Sequence, residues 1–467
     1  MRRQFWAPAA LTLASAAVLS AVPAQYLGRQ QDDILYVITS HALANGGYRL
    51  FTSPGLPPLT MIMPGFPMVL MPITLIFGEF HPAYQIFCGL ILAGLPWLLW
   101  RWLRRRLGEA ESVLIALIFA TSPIVLSQAG TIMSEGAYTC LAVLFLAAAE
   151  ARSAPARGAL LLALTQVRPA GISLFPAALA EPWRTRDWKA ALKTALPALL
   201  GLSLWWLWSF SVSGGVDEAR EWRLSYAGHP WLRPLAVALD NARFYLNAWG
   251  ANYVPASGSL AAALLLAALA GLGAWRLRRE ESARPALLML AGALLMHLFW
   301  AWQYERYLIP ILPWLLWLAA AGARRRAPWL LAGLLALQLC LHAPRRIMGD
   351  SAWTRPELSR TYEWIRGHSS PGDAIASPLY VRDGFLAARP SVPLPDTDDP
   401  GRFAELLARR RVRFVITQEN LDVGLSQSRT ATIQFKLDRA LALLQDPGRF
   451  RLVYARPEES SRVYELR

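Results

Sequence analysis

Apolar stretches alternate with short polar segments over the first three quarters of the chain, and most are close to the roughly 17 to 25 residues that a helix needs to cross a bilayer. They lie near residues 5–25, 84–103, 111–129, 136–151, 190–210, 259–275, 285–303, 307–323 and 328–343. This pattern predicts an α-helical polytopic membrane protein.

Two further apolar stretches are interrupted. Residues 61–78 contain Pro64, Pro67 and Pro72, and proline inside a helix removes a hydrogen bond, so we expect a helix lying in the outer interface. Residues 159–180 are broken at Arg168 and Pro169 and have arginines at both ends. Two short helices that enter and leave from the cytoplasm fit both flanks, which brings the total to about 11 membrane helices. In this arrangement Arg168 is expected to stay away from any site outside.

Composition and charge support the membrane assignment. The chain is 55% hydrophobic and 17% charged and has 20 tryptophans, which argues against a soluble fold. The net charge of +15 does not indicate nucleic acid, because the arginine clusters fall between apolar stretches, as on the cytoplasmic side of membrane proteins. The N-terminus is then cytoplasmic, and the loops 26–83 and 211–257 lie outside.

The last part of the chain has a different pattern. After a transmembrane domain over residues 1–345, charge rises and short helical and strand patterns alternate over 350–467. The patterns predict helices at 356–368 and 430–444, a strand at 412–417 and a strand pair at 450–454 and 462–466. We therefore expect a small α/β domain on the extracytoplasmic side.

The long outer loop 211–257 contains a regular apolar stripe. Its members recur at alternating spacings of four and three, which is typical of an amphipathic helix lying in the membrane interface; they are Leu235, Leu239, Ala242, Leu246 and Trp249.

Paired carboxylates, Asp32 and Asp33, follow the first apolar stretch. A positioned carboxylate outside the membrane is suited to accept a proton from a reacting hydroxyl. The alternative is an ordinary helix start, since acidic side chains stabilise helix N-termini and Tyr36 could pack behind them. The prediction assigns Asp32 and Asp33 to catalysis and Tyr36 to a supporting role.

Two other outer turns carry ionisable residues near the bilayer, where charge is costly and tends to mark function. Glu135 follows Ser134, so it either supports a site or simply stands in the first turn of a helix capped by Ser134. Arg306 lies between Glu305 and Tyr307. Its fork of donors suits a lipid phosphate, although it could instead pair with Glu305 or another acid and anchor the turn.

The order of these motifs resembles that of the GT-C superfamily of membrane glycosyltransferases, which includes the lipid A aminoarabinose transferase and the protein O-mannosyltransferases. The resemblance covers about residues 2–345 and rests on Asp32-Asp33-Ile34-Leu35-Tyr36, Pro57-Pro58, Ser122-Pro123, Glu135, Arg168-Pro169 and Glu305-Arg306-Tyr307-Leu308-Ile309-Pro310. The family's outer loop usually reads Asp-Glu, so Asp32 matches its catalytic aspartate and Asp33 replaces its glutamate. Arg306 matches the arginine near the donor phosphate, with Tyr307 beside it and Glu135 and Glu305 in support.

The resemblance implies an inverting glycosyltransferase of the bacterial inner membrane. Its donor would be a polyprenyl-phosphate-linked sugar, and its acceptor would be a glycan, a lipid or a protein. We expect it to contact membrane lipids and not to bind nucleic acid. No cofactor is required by this chemistry, although a divalent cation could assist, and the six scattered histidines give no zinc spacing. The alternatives are a transporter or flippase of lipid-linked sugars, a glycan polymerase or ligase, and a non-catalytic scaffold.

Overall fold

A bundle of helices followed by a small mixed sheet makes up this computed structural model, which describes residues 5–24, 27–28, 31–213, 233–300, 302–347, 357–418 and 433–467. The helices of the bundle are α1 (Trp6–Leu19), α2 (Gln31–Ala44), α3 (Gly65–Phe77), α4 (His81–Leu103), α5 (Glu109–Thr121), α6 (Pro123–Leu126), α7 (Glu135–Glu150), α8 (Ala154–Val167), α9 (Phe175–Thr185), α10 (Trp188–Ser213), α11 (Arg233–Gly250), α12 (Ala256–Leu277), α13 (Arg284–Phe299), α14 (Leu312–Ala323) and α15 (Ala327–Ile347).

Among the described residues, three helices are long and apolar enough by themselves to cross a membrane. These are α4, α10 and α12, with 23, 26 and 22 residues, and they match predicted spans. Several other predicted spans correspond to shorter helices, such as α5 with 13 residues and α14 with 12. The total of about 11 membrane helices therefore stays a prediction.

The interrupted stretch 159–180 forms a hairpin. Helices α8 and α9 are joined by a 3-10 helix, Pro169–Leu174, and Arg157 pairs with Glu181 across the open end at 2.9 Å. Arg168 adopts an extended backbone, φ −150° and ψ 138°, because the following proline disfavours the helical conformation. The two predicted short helices are present, and Arg168 stands at the tip of their hairpin.

The predicted interfacial segments are also helical. Helix α3 contains Pro72 and leaves Leu75 and Ile76 exposed. Helix α11 buries Val237 and Asn241, which lie outside the predicted stripe. Of the stripe itself, Trp249 is buried, whereas Leu235 and Leu239 are exposed.

The C-terminal sheet has five strands in the order β2-β1-β3-β5-β4. They are β1 (Ala374–Ser377), β2 (Ser391–Pro393), β3 (Val412–Gln418), β4 (Phe450–Arg456) and β5 (Ser461–Leu466), and the helices around them are α16 (Ser359–His368), α17 (Tyr380–Ala387), α18 (Pro400–Arg409) and α19 (Ile433–Leu443). Strand β1 is parallel to β2 and β3, whereas β5 is antiparallel to β3 and β4.

Most of the predicted C-terminal elements are present. Strand β3 and the pair of β4 with β5 match the predicted strands, and α16 and α19 lie inside the predicted helices. Residue 356 and residues 430–432 of those predicted helices fall outside the described part of the chain. The sequence patterns missed β1, β2, α17 and α18.

Candidate active site

A buried guanidinium from one turn reaches a carboxylate near the start of the chain. Arg306 lies in a 3-10 helix, Glu305–Leu308, and its Nη2 donates to Oδ2 of Asp32 at 2.7 Å. The Arg306 side chain is 4% exposed and that of Asp32 is 42% exposed. The Asp32 carboxylate is therefore accessible on one side and is hydrogen-bonded to a buried cation on the other.

The segment that carries Arg306 is fixed by a buried amide. The Nδ2 of Asn241 lies within 3.0 Å of the carbonyls of His297, Leu298 and Trp300, at the end of α13, where the last carbonyls of a helix lack partners within the helix. Its Oδ1 accepts from Nε2 of Gln303 at 2.9 Å. This network holds the chain as it leaves α13 and turns toward Arg306.

A second carboxylate links two arginines. Glu135 begins α7 and is buried, and its Oε1 lies 2.7 Å from Nη1 of Arg168 and 3.2 Å from Nε of Arg306. Two carboxylates and two guanidiniums from four distant segments thus form one connected cluster. We call Asp32, Glu135, Arg168 and Arg306 the ion cluster.

The expectation that Arg168 stays away from the outer site is wrong. Helix α8 has 14 residues, and at about 1.5 Å per residue it extends about 21 Å. The hairpin is therefore long enough for its tip to reach Glu135. Arg168 was the site residue that sequence reasoning missed, and an arginine followed by proline within an apolar stretch was the signal available for it.

Ser134 connects the ion cluster to the second helix. Its hydroxyl makes no capping bond to α7. It lies 3.0 Å from Nη1 of Arg168 and 3.1 Å from the hydroxyl of Tyr36, so of the two alternatives the capping role for Ser134 does not hold. Burial raises the pKa of Tyr36 to about 12, which keeps this hydroxyl protonated as a hydrogen-bonding group.

Aromatic rings line the guanidinium groups. The Arg306 guanidinium carbon lies 4.2 Å from the ring centre of Tyr304 and 5.7 Å from that of Tyr307, within the range of cation–π attraction. Arg168 lies 5.3 Å from the Tyr307 ring. Tyr307 therefore stands between the two arginines, although its ring rather than a hydrogen bond makes these contacts.

Arg306 keeps its charge in spite of burial. Burial lowers the pKa of Arg306, but the carboxylates of Asp32 and Glu135 outweigh it, and the net pKa is raised above its usual value. Within the described part of the chain, Nη1 of Arg306 and Oε2 of Glu135 are buried without a hydrogen-bond partner. A donor left unsatisfied in this way is expensive, and it is available to an incoming anion.

An apolar cavity adjoins Arg168. It is small and partly open, and its walls include Tyr138, Met289, Leu290, His297 and Trp314. Arg168 supplies the charged part of its lining. The cavity thus places apolar walls directly beside the ion cluster.

Two predicted site residues lie apart from these contacts. Asp33 is buried and accepts hydrogen bonds from the backbone amides of Gly28 at 3.0 Å and Ile34 at 2.7 Å, which organises the turn before α2. Glu305 is exposed, and the acids that pair with Arg306 are Asp32 and Glu135. In the structure Arg306 therefore pairs with acids other than Glu305, as the second of the two alternatives stated.

The sequence did not decide whether a metal ion binds at this site. Across the described residues, no group of three or more His, Cys, Asp or Glu side chains is arranged to hold a metal ion.

The protein thus combines a helical bundle that carries the ion cluster with a small C-terminal sheet. Two crystal structures of ArnT from Cupriavidus metallidurans share this fold over nearly the whole chain. The structure bound to undecaprenyl phosphate has a TM-score of 0.56 at 12% sequence identity and covers 98% of this chain and 97% of its own. The apo structure gives 0.56 at 13% identity, with 99% and 98% covered.

The expected resemblance to GT-C proteins is thereby confirmed for the fold. Identity of 12 to 13% establishes the fold alone. No protein-family model matches the sequence, and no curated protein sequence matches it.

Proposed function

We propose that this protein is a membrane glycosyltransferase that moves a sugar from a polyprenyl-phosphate carrier to an acceptor hydroxyl, with inversion at the anomeric carbon. The observation that carries the proposal is the ion cluster, in which a half-exposed carboxylate, Asp32, lies 2.7 Å from a buried guanidinium, Arg306. One group suits a proton acceptor and the other suits a phosphate, and the reaction needs both within one site.

The carrier follows from the neighbouring chemistry. The buried Arg306 and the largely covered Arg168 share the single buried carboxylate of Glu135, so an anion that displaces Asp32 meets an excess of positive charge. The apolar cavity beside Arg168 places hydrocarbon walls next to the proposed phosphate site. One structure of the same fold is bound to undecaprenyl phosphate, which supports a polyprenyl phosphate as the carrier here.

The proposed reaction begins when the donor phosphate takes the place of Asp32 on Arg306. Asp32 then accepts the proton of the acceptor hydroxyl while that oxygen forms a bond to the anomeric carbon. The bond from that carbon to the phosphate oxygen breaks, and its electron pair leaves with the polyprenyl phosphate. Arg306 and Arg168 stabilise the charge that develops on this leaving group.

The proposed location is the bacterial inner membrane, with about 11 membrane helices, a cytoplasmic N-terminus and the C-terminal domain outside. Glu135 and Glu150 begin and end α7, so the ion cluster and the pair of Arg106 with Glu150 lie at opposite ends of one helix. The basic residues beside Arg106 favour the cytoplasmic side for that end. This supports an extracytoplasmic position for the ion cluster.

The test is a lipid analysis in the native host. We expect a polyprenyl-phosphate-linked monosaccharide to accumulate when the protein is deleted or carries Asp32→Asn, with a glycan lacking that sugar, as measured by mass spectrometry. Glu79→Gln is the matched control, because Glu79 is an exposed acid in the same outer region. Unchanged lipids, or an Asp32→Asn strain that behaves as wild type, would overturn the catalytic assignment and favour transport.

A further inference from the structure

The C-terminal domain packs directly onto the helix that carries Asp32. Val381 of α17 is fully buried, and it forms one apolar cluster with residues of α2, namely Ile34, Leu35 and Ile38. Because α2 also carries Asp32 in its first turn, this contact lies within a few residues of the ion cluster.

A second attachment joins the edge of the sheet to the outer loop. The amide of Ser391, in edge strand β2, donates to the carbonyl of Thr52 at 2.8 Å, and its carbonyl accepts from the hydroxyl of Ser53 at 2.9 Å. The domain is therefore held on the outer loop 26–83 at two separate places, one of them beside the start of α2.

One contact leads from the domain to the catalytic turn. Gly28 has a φ of +88°, a backbone conformation that glycine adopts readily and other residues rarely do. A Cβ placed there would lie 3.0 Å from Cδ1 of Leu386, and 3.1 Å from Cγ and 3.2 Å from Cδ of Arg382. The methylene stem of Arg382 thus lies against Gly28, whose amide donates to Asp33 at 3.0 Å.

Arg382 is itself held rigidly by the rest of the domain. Its Nε donates to Oδ1 of Asp383 at 2.7 Å, and its Nη2 donates to Oε1 of Gln418 at 3.0 Å. The hydroxyl of Tyr362 donates to the same oxygen of Asp383 at 2.8 Å. All four side chains are buried, and they come from α16, α17 and the end of β3.

A buried ion pair of this kind is weak evidence for stability, because removing two charges from water costs about as much as their attraction returns. It does hold one side chain in one geometry. The side chain of Arg382 lies against Gly28. The amide of Gly28 donates a hydrogen bond to Asp33, and Asp33 is next to Asp32 in the chain.

We propose that Arg382 is a positioning residue for Asp32, so that the C-terminal domain completes the active site instead of standing as a separate module. This inference rests on the proposed function for the role of Asp32. It concerns a contact whose effect on the turn is measurable without catalysis. The arginines proposed to bind the substrate lie on other segments, so the contact supplies none of the groups that would hold the phosphate.

The experiment uses the full chain in lipid nanodiscs. Hydrogen exchange at the amides of Gly28 and Ile34 reports on the turn, amides of β3 report on the sheet, and native mass spectrometry reports binding of undecaprenyl phosphate. The variants are Arg382→Ala, Arg382→Lys, which keeps a methylene stem and a positive charge, and the control Arg413→Ala. Arg413 pairs with Asp373 and Glu465 within the same domain.

We expect Arg382→Ala to exchange about tenfold faster at the two turn amides, as local opening predicts, with Arg382→Lys and Arg413→Ala close to wild type. With the donor found by lipid analysis, kcat for Arg382→Ala should fall by about 10²-fold, the scale of a small misplacement, while KM for the donor and binding of undecaprenyl phosphate are unchanged.

Wild-type exchange at both turn amides in Arg382→Ala overturns the inference. Equal loosening in Arg413→Ala also overturns it, because the effect would then belong to the domain as a whole. If the exchange results are as expected but the wild-type protein transfers no sugar, the proposed function fails while the contact between domain and turn stands.

Discussion

The Nη2 of Arg306 lies 2.7 Å from Oδ2 of Asp32, across 274 positions of sequence. The guanidinium thus occupies one oxygen of the carboxylate that is proposed to accept the proton. A phosphate that binds Arg306 would release Asp32 for proton transfer, so the pair links donor binding to activation of the base.

Asp32→Asn should abolish transfer without abolishing binding. We expect the turnover rate to fall by about 10² to 10⁴-fold, the usual contribution of a general base. Binding of undecaprenyl phosphate should be unchanged or tighter, because Arg306 no longer has Asp32 as a partner. Transfer assays with the accumulated lipid, together with native mass spectrometry, measure both. Loss of binding in this variant would show that Asp32 acts on the donor instead.

Arg306→Ala should instead weaken donor binding. The guanidinium is buried between two carboxylates, and truncating one partner of a buried charge pair costs about 2 to 5 kcal/mol or more in an interface. We expect at least about tenfold weaker binding of undecaprenyl phosphate, with Arg306→Lys intermediate because a lysine lacks the planar fork of donors.

The control for Arg306 is Arg325→Ala. Arg325 is exposed in the 3-10 helix Arg324–Arg326 at the far end of α14, so its removal changes net charge equally without touching the ion cluster. If both variants bound undecaprenyl phosphate equally weakly, the affinity would depend only on the overall charge of the protein.

Glu135→Gln should destabilise the protein because it leaves the buried Arg306 and the partly exposed Arg168 without their shared carboxylate. Breaking a buried pair from one side costs about 3 to 5 kcal/mol. The double variant with Arg168→Gln should lose less than the sum of the single variants, with a coupling energy of about 0.5 to 3 kcal/mol. Unfolding in mixed detergent micelles measures the four free energies.

The exposed pair of Arg152 with Glu281, 3.5 Å apart, is the matched control for this cycle. Its coupling should be near zero, since exposed pairs contribute little. A coupling of equal size in both cycles would contradict the view that burial makes the ion cluster rigid.

Much of the ion cluster could be predicted from the sequence. Asp32, Glu135 and Arg306 each stand beside an apolar helix, and the placement of basic clusters sends all three to the same side. The pattern could not decide which way each side chain points within a turn. Asp32 and Asp33 are adjacent, yet one faces Arg306 and the other faces the backbone of Gly28.

Arg168 shows a different limit of sequence reasoning. The arginines at both ends of 159–180 correctly indicated a hairpin with two arms. Charge patterns locate the ends of segments, however, and they give no information on how far a tip extends. The catalytic roles of all these residues stay predictions until the variants are measured.

The fold also depends on a close approach that no pattern could predict. A Cβ at Gly65, the first residue of α3, would lie 2.6 Å from the backbone nitrogen of Val167 and still closer to Gln166. Both neighbours are backbone and sit just before Arg168, so they can move only by shifting the tip of the hairpin. Gly65 therefore sets how close α3 comes to the segment that carries Arg168.

Gly65→Ala should consequently lower transfer activity, since a displacement of about 1 Å in a positioned group can cost about 10²-fold. Arg168 would lose its alignment with Glu135, and binding of undecaprenyl phosphate should weaken as well. Gly94→Ala is the matched control, because a Cβ at Gly94 meets no atom within 4 Å in the middle of α4. That variant should keep wild-type activity and, since alanine is the better helix former, equal or higher stability. If Gly65→Ala were as active as Gly94→Ala, the hairpin tip would have to tolerate displacement, and Arg168 would no longer be needed where the structure places it.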